Sequence, residues 1–275
     1  MGPVIPFSLA FALLLAAPAE AQGTGRARDV GFVATPMALV TGMLDLAGVA
    51  DTDVVYDLGS GDGRIVIAAG RRGAHGVGVE LDSVLVEESR ASADTAGVGT
   101  LAEFRRADLF ATDLRPATVV TLYLGQALNQ RLRPIFLRQL RPGARVVSQA
   151  FDMGDWPPDS VITVRSRDVA ATPIHLWVIP ADVAGRWALT IGGGNATVER
   201  LGLRLSQRYQ SVRGTATAGG RARDIDRVRL RGDSLAFDAG RRRFAGRVSG
   251  DEARGTVTEP GERSRPWRAT RTGRP

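Results

Sequence analysis

One glycine-rich turn limits what this chain can fold into. Asp57-Leu-Gly-Ser-Gly-Asp-Gly63 joins a short apolar run, Asp53–Leu58, directly to the helix-like segment Arg64–Gly70. Glycine has no side chain to obstruct a ligand and accepts backbone conformations that other residues avoid. In α/β proteins such a turn holds a nucleotide at the carboxyl ends of parallel strands. We therefore expect a nucleotide-binding loop formed by Asp57, Gly59, Ser60, Gly61, Asp62 and Gly63.

Strand-like and helix-like segments alternate on both sides of this turn. A helix is predicted from Thr35, as N-cap, with Pro36 in its first turn. Later strands are predicted at residues 76–80, 102–106, 118–123 and 144–149, with helices at 82–96 and 126–140 between them. Two more strands, 161–164 and 174–179, lack an intervening helix and predict an antiparallel edge pair. The pattern indicates an α/β fold with a doubly wound, Rossmann-like sheet.

The hydrophobic period changes to two after Pro180-Ala-Asp182, which we take as a domain boundary. Short runs separated by glycine turns, such as Gly192–Asn195, predict an antiparallel β-rich domain, a small sandwich or barrel, over residues 183–275. We expect the tail, residues 260–275, to be partly disordered except around Trp267. The domain assignment is 1–21 signal peptide, 22–29 linker, 30–182 nucleotide-binding domain and 183–275 β domain.

Charge is distributed unevenly between the two predicted domains. All 36 basic residues are arginine, as a GC-rich coding bias would produce. Residues 183–275 carry 20 Arg against 9 Asp and Glu, whereas residues 1–182 carry 16 against 20. The basic domain could contact an anionic envelope surface, or its arginines could simply be solvated. We do not expect nucleic acid as a partner.

The N-terminus has the form of a secretory signal. An apolar run over residues 7–17 precedes Ala19-Glu20-Ala21, which fits a small-x-small cleavage site. The run is shorter than the roughly 20 residues that a membrane span needs, and no Lys or Arg precedes it. We expect export to the periplasm, and a cytoplasmic location if the segment is not a functional signal.

Composition excludes several kinds of chemistry. Without cysteine, neither thiol catalysis nor a Cys-ligated metal is possible. His75 and His175 are the two imidazoles, so we expect no metal site and no Ser-His triad. The dinucleotide fingerprint needs glycine or alanine where Arg64 stands, which argues against NAD or FAD. A P-loop needs lysine, and the chain has none.

Acidic residues follow the next two strands at positions suited to an adenosine. Glu80 ends the second strand about twenty residues after the loop, where a carboxylate can accept ribose hydroxyls. Asp108 follows the third strand and could meet the adenine edge, while Leu109 and Phe110 offer apolar surface to the ring. These strand ends share one crevice in a doubly wound sheet.

At these residues the sequence resembles the class I methyltransferases. Val54-Val-Tyr-Asp-Leu-Gly-Ser-Gly-Asp-Gly-Arg-Ile-Val-Ile67 is especially similar to the group of the ATP synthase c-subunit lysine methyltransferase and its bacterial relatives. The resemblance covers about residues 30–180. It implies S-adenosylmethionine as cofactor, held by the glycine loop, by Glu80 at the ribose and by Asp108 near the adenine. It also implies a protein lysine as acceptor and places Thr35-Pro36 in a lid.

The candidate catalytic residues lie beyond the cofactor loop. Methyl transfer from a sulfonium needs proximity, orientation and a deprotonated nucleophile. Tyr123 after the fourth strand and Asp152 after the fifth could orient or deprotonate an amine, and Trp156 could stack on it. Each could instead support the sheet edge or a polar turn. Two other functions stay open: methylation of a small molecule or lipid amine, and a non-catalytic adenosine-binding envelope module.

Overall fold

A computed structural model describes residues 33–192 and 198–275. The predicted signal peptide and linker, and positions 193–195 of the predicted Gly192–Asn195 turn, lie outside the described residues. The described residues belong to one compact unit, Phe32–Pro275. They form two sheets, one mixed and one antiparallel.

The first sheet has seven strands in the order β3-β2-β1-β4-β5-β7-β6. Strands β1 to β5 are parallel, and β7 runs antiparallel to both β5 and β6. Its strands are β1 Val54–Leu58, β2 His75–Glu80, β3 Ala102–Arg106, β4 Val119–Leu122, β5 Arg145–Gln149, β6 Ser160–Ser166 and β7 Val169–Val178. Its helices are α1 Met37–Ala47, α2 Arg64–Gly70, α3 Ser83–Thr95 and α4 Gln126–Gln139. The predicted Rossmann-like sheet with an antiparallel edge pair is confirmed.

Apolar side chains of the central strands alternate between two helical layers. Val55 of β1 packs with Leu39 and Met43 of α1, whereas Leu58 packs with Phe136 of α4. Because both faces of the sheet are covered at its centre, strands β1, β2, β4 and β5 are almost fully buried, as in other parallel sheets. The carboxyl ends of β1 to β5 are therefore the one edge where loops can form a site.

The prediction that Thr35 caps α1 is wrong. The helix begins at Met37 with Pro36 as its N-cap residue, and no side chain caps it. The Pro36 carbonyl accepts the backbone N–H of Leu39 at 2.9 Å and of Val40 at 3.1 Å. Pro36 has φ −56° and ψ 142°, an extended conformation that proline adopts without strain, so the cap moves one residue later.

The second sheet has nine antiparallel strands in the order β11-β10-β9-β8-β16-β15-β14-β13-β12. Near its two ends, Ile225 N–H bonds to the Gly214 carbonyl at 3.0 Å, which draws the sheet towards a barrel. Its strands are β8 Gly185–Ile191, β9 Glu199–Arg208, β10 Ser211–Ala218, β11 Arg221–Asp224, β12 Asp226–Arg231, β13 Ser234–Ala239, β14 Arg242–Ser249, β15 Glu252–Thr258 and β16 Arg265–Gly273. This confirms the predicted antiparallel β-rich architecture.

The expectation of a partly disordered tail is wrong, because the tail forms β16. This strand lies in the middle of the sheet, between β8 and β15. Trp267 and Ala269 point into the core and are buried, and the Trp267 indole donates to the Thr256 carbonyl at 3.0 Å. Three arginines in the same strand, Arg265, Arg268 and Arg271, conceal this inward pattern in the sequence. Among the described residues, no helix is long and apolar enough to cross a membrane.

Candidate active site

The predicted loop follows β1, and its backbone is left-handed at all three glycines. Gly59, Gly61 and Gly63 have φ of 76°, 54° and 78°. A Cβ on Gly59 would lie 2.6 Å from Leu124, and one on Gly63 would lie 2.6 Å from Phe104. Glycine is thus required at 59 and 63 by the protein's own packing as well as by conformation.

Glu80 lies at the end of β2 with its carboxylate fixed by backbone donors. Oε1 accepts the N–H groups of Leu81 at 2.7 Å and Asp82 at 3.0 Å, and Oε2 accepts that of Gly61 at 3.1 Å. A carboxylate offers about four lone-pair sites, so Oε2 retains capacity for a further hydroxyl. The glycine loop and Glu80 therefore form one preorganised unit, and the role of Glu80 at a ribose stays a prediction.

Asp57 is buried at the start of the loop. The pKa of its carboxyl is raised to about 7, and burial is the largest cause. The hydrogen bond donated by the Thr121 hydroxyl lowers this pKa, whereas the negative charges of Glu80 and Asp62 raise it. The Thr121 Oγ1 to Asp57 Oδ1 distance is 2.7 Å. Asp57 thus changes charge near neutral pH, which is typical of functional sites. No sequence pattern pointed to its partner on β4.

Asp62 is held by Arg64, the residue that breaks the dinucleotide fingerprint. Burial tends to raise the pKa of Asp62, but the hydrogen bonds and charge of Arg64 outweigh it and lower that pKa. Arg64 Nη1 also donates to the Thr35 carbonyl at 2.8 Å. The segment before α1 is therefore tied to the glycine loop. Its place beside the loop agrees with the predicted lid, although Thr35 has no capping role.

Asp108 and Leu109 follow β3, beside the end of β2. The Ala107 N–H bonds to the Glu80 carbonyl at 3.0 Å, which brings this turn next to Glu80. Asp108 Oδ1 accepts the Phe110 N–H at 2.9 Å, and Leu109 is half-buried. The Phe110 ring is covered by the guanidinium of Arg131, 4.1 Å from the ring centroid. Part of the expected apolar surface is thus already used within the protein.

Tyr123 and Asp152 lie on the next two strand ends. The Tyr123 ring stacks on Phe151, with centroids 6.1 Å apart, so the ends of β4 and β5 share an aromatic wall. Asp152 Oδ1 accepts the Gly154 N–H at 2.8 Å and a hydrogen bond from the Gln126 amide. One carboxylate oxygen of Asp152 therefore stabilises a turn. The catalytic roles of both residues stay predictions.

Gln149, the last residue of β5, is a further candidate residue that the sequence did not point to. It is 4% exposed, and its Oε1 has no hydrogen-bond partner among the described residues. The register of β1, β4 and β5 places it on the same sheet face as Asp57. The next residue, Ala150, has φ 64°, a strained value for a side chain with a Cβ. The strained backbone at Ala150 and the unpaired Oε1 of Gln149 distinguish the end of β5 in the structure. No sequence pattern reveals either feature.

The loop after β5, residues 151–157, is held by the hairpin between β9 and β10. Trp156 is buried, its ring stacks on Tyr209 at 5.4 Å, and its Nε1–H donates to Gln210 Oε1 at 2.8 Å. Gln210 Nε2 donates in turn to the Pro157 carbonyl at 2.7 Å. The predicted stacking of Trp156 on an acceptor is wrong, since its ring is covered by the protein. We name Tyr209 and Gln210 the hairpin tip.

Other residues singled out by the sequence take structural positions. His175 lies on β7 and stacks on Trp177, with centroids 5.7 Å apart. In the described ranges, no cluster of three His, Cys, Asp or Glu side chains is arranged to hold a metal. The candidate site residues, from Asp57 to Asp152, all lie at the carboxyl ends of strands β1 to β5.

The region that contains these residues is similar to known proteins. The family described as the ANTKMT methyltransferase domain matches residues 57–160. A protein-lysine N-methyltransferase from Saccharolobus islandicus is 39% identical over 152 residues, which are 54% of this chain and 94% of that protein. The adenine nucleotide translocase lysine N-methyltransferase of Mus musculus is 38% identical, over 44% of this chain and 53% of its own length. This chain therefore spans about half of the mouse protein.

A solved structure from Salinibacter ruber is similar over the same region. It is described as an RNA methyltransferase in complex with S-adenosyl-L-homocysteine and shows 53% identity, a TM-score of 0.51 and coverage of 55% of this chain and 96% of its own. Fold and site thus define a class I S-adenosylmethionine-dependent methyltransferase, which confirms the predicted enzyme class and cofactor. Because the Saccharolobus protein is 39% identical over 94% of its length, this chain belongs to the same methyltransferase family.

Proposed function

We propose that this enzyme methylates the side-chain amine of lysine in a protein. The observation that carries the proposal is the preorganised unit of the glycine loop and Glu80 in a chain whose relatives from Saccharolobus and mouse are lysine methyltransferases. The residues fit the cofactor: backbone N–H groups and glycines lie where a nucleoside needs close approach, and Glu80 retains acceptor capacity for a ribose hydroxyl. When bound, S-adenosylmethionine supplies an electrophilic methyl group on its sulfonium.

The protein's own contribution is to orient the amine and to remove its proton. A lysine amine must be neutral to attack carbon, so a nearby acceptor has to take or hold a proton. Tyr123 lies on the aromatic wall, and Asp152 follows at the end of β5. Gln149 Oε1, buried without a donor, would be satisfied by an N–H group. These three side chains suit an amine acceptor better than an apolar one.

Because the chain contains no lysine, a direct assay has no background from methylation of the enzyme's own lysines. The enzyme cannot label itself on lysine. We expect a cell extract incubated with the enzyme and methyl-labelled S-adenosylmethionine to yield protein-bound label that acid hydrolysis releases as methyl-lysine. Label that resists protease but is released by ribonuclease would contradict the proposal. It would favour the second candidate, RNA methylation, which the 53% identity to the Salinibacter protein supports.

The acceptor side is tested by two conservative variants. Tyr123→Phe should reduce methyl transfer about a hundredfold, the smaller end of what general acid–base groups contribute. Gln149→Leu should also reduce it, because the amine loses a hydrogen-bond acceptor. Cofactor affinity should stay close to that of the parent in both variants. Asp152→Ala tests the third side chain, and its loss of the turn bond to Gly154 is assessed separately by thermal unfolding. Unchanged turnover in all three variants would place the acceptor elsewhere.

We further propose that the enzyme is exported and works in the periplasm. The proposal rests on the apolar run of residues 7–17 and the Ala19-Glu20-Ala21 sequence. Cell fractionation and N-terminal sequencing of the mature protein test it. A mature chain that begins at Met1 in the cytoplasmic fraction would contradict it.

A further inference from the structure

Arginines line the outer face of the second sheet across five neighbouring strands. Strands β10, β9, β8, β16 and β15 lie side by side, and their side chains alternate between core and solvent. The core side holds residues such as Trp187, Leu203 and Trp267. The opposite side carries exposed arginines on every one of these strands: Arg213, Arg204, Arg200, Arg186, Arg268 and Arg254.

Several of these arginines stand directly opposite one another. Arg186 is paired in register with Arg204, and Arg268 with Arg254. Like charges in directly opposed positions destabilise a sheet. Within residues 33–192 and 198–275, no carboxylate forms an ion pair with any of these four side chains. Glu252 is the acidic residue on this face, so the charge there is largely uncompensated within the described chain.

Small residues open a hollow among these arginines. Gly202 and Ala188 lie opposite each other between Arg204 and Arg200, which are four residues and therefore about 13 Å apart along β9. The hollow has a volume of about 450 Å³ and is also lined by the hydroxyl-bearing Thr215. Guanidinium forks and hydroxyl donors around a recess of this kind match the oxygens of phosphate groups.

We propose that this arginine face binds the surface of a bilayer that contains anionic phospholipids. The charges form a two-dimensional array over five strands, so several of them can contact a surface of headgroups at once. Within the five strands, no exposed large hydrophobic side chain of the described residues lies on the outer face; Val198, just before β9, is the one beside it. The contact is therefore mainly electrostatic. The face also lacks aromatic rings on which unpaired bases could stack.

The charge distribution of the whole chain favours the same orientation. Residues 183–275 carry 20 Arg against 9 acidic residues, and residues 1–182 carry 16 against 20. A negatively charged plane attracts the basic part and repels the acidic part, so the enzyme would dock through the second sheet. This inference does not depend on which group accepts the methyl.

Vesicle binding by the full chain tests the proposal. Phosphatidylcholine vesicles with added phosphatidylglycerol should sediment the protein, and pure phosphatidylcholine vesicles should not. Replacing Arg186→Gln and Arg204→Gln together should lower the partition constant roughly thirtyfold, at about fivefold per arginine. The matched control is Arg71→Gln with Arg141→Gln, two exposed arginines of the first sheet's connections, which should bind like the parent.

Three results would overturn the proposal. Equal losses in both double variants would show a general charge effect, and parent-like binding by Arg186→Gln/Arg204→Gln would exclude this face. Tighter binding to duplex RNA than to vesicles at equal phosphate concentration would make nucleic acid the partner. Thermal unfolding controls for folding: because the two arginines oppose each other, their replacement should leave the melting temperature unchanged or raised.

Discussion

A single carboxylate, Glu80, links the cofactor loop to the second strand. Its oxygens accept three backbone N–H groups, so little motion is left to it before any ligand arrives. Glu80→Ala should weaken S-adenosylmethionine binding by about 1.5 to 3 kcal/mol, the range for hydrogen bonds to a charged group. Isothermal calorimetry measures this, with Glu88→Ala on the exposed side of α3 as control. Unchanged affinity in Glu80→Ala would remove the ribose role.

Asp57 should make cofactor binding depend on pH. Burial raises the pKa of Asp57 to about 7, so the side chain is neutral below that pH and anionic above it. S-adenosylmethionine is cationic at its sulfonium and ammonium groups, and we expect its affinity to rise from about pH 6 to about pH 8. Asp57→Asn keeps an acceptor for the Thr121 hydroxyl but stays neutral, so its affinity should change little over this range. An equal pH dependence in parent and variant would contradict the assignment.

The raised pKa of Asp57 also makes the stability of the folded protein depend on pH, in a direction that can be predicted. A carboxyl whose folded pKa exceeds its unfolded value stabilises the protein fully below the unfolded pKa, and this contribution disappears as pH rises through the folded pKa. The contribution of Asp57 should therefore decline between about pH 4 and about pH 7. Melting temperatures of parent and Asp57→Asn across that interval compare the two. A steeper fall in the variant than in the parent would be the opposite of this expectation.

At this scale the sequence predicted contacts within one motif and missed those between distant segments. The glycine loop and Glu80 are separated by a single βαβ unit of known geometry, and their contact followed from it. The partner of Asp57 is Thr121, 64 residues away on another strand. Nothing in the local pattern selects Thr121, because such a pair depends on the order and register of strands in the finished sheet.

At the scale of elements, the hairpin between β9 and β10 holds the loop after β5. Tyr209 has φ 56°, and this strained conformation at the turn between β9 and β10 aims its ring at Trp156. Asp155 adds a second attachment through ion pairs with Arg133 of α4 and Arg208 of β9. The loop after β5 is therefore fixed from both sheets. If the loop borders the acceptor site, as proposed, the hairpin tip supports that site.

Gln210→Ala should affect the acceptor more than the cofactor. The substitution removes two hydrogen bonds, to the Trp156 indole and the Pro157 carbonyl, each worth about 1 kcal/mol. We expect a raised KM for the acceptor and cofactor affinity equal to that of the parent. Ser211→Ala, the exposed neighbour in the hairpin, is the control. A loss of cofactor affinity in Gln210→Ala would show that the tip acts on the whole sheet.

Elements with one regular hydrophobic period could be predicted from the sequence, and β16, the central strand of the second sheet, could not. Helix α2 and strand β3 occur at their predicted bounds, since each shows one period between turn residues. Strand β16 has arginine at positions 265, 268 and 271, and its inward Trp267 and Ala269 are too few to outweigh that composition. Its place between β8 and β15 comes from long-range pairing, which satisfies backbone groups whatever the side chains are.

At the scale of the whole molecule, the two sheets have separate cores joined by specific contacts. Trp177 lies in the core of the first sheet, while Trp187 and Trp267 lie in that of the second. Tyr209 is the residue of the second sheet that packs against the first core. Near the predicted boundary, the Ala181 N–H bonds to the Gly232 carbonyl at 2.8 Å. Trp177, Trp187 and Trp267 therefore do not bridge the halves, whereas Trp156 does so through its contacts with the hairpin tip.

This arrangement gives a definite expectation for a fragment that ends at Asp182. All strands and helices around the glycine loop are retained, so it should stay folded by circular dichroism and bind S-adenosylmethionine with the parent's affinity. Acceptor methylation should fall, because Trp156 loses the hairpin tip and the loop after β5 loses its support.

The matched comparison is Tyr209→Ala with Gln210→Ala in the full chain, which uncovers the same indole and leaves the second sheet in place. If the hairpin tip is the link that matters, both proteins lose methylation to a similar degree and keep the cofactor. If the fragment is unfolded while the double variant is folded, the second sheet stabilises the first through more than this tip. The two halves would then form a single cooperative unit, and the predicted boundary at residue 182 would be wrong.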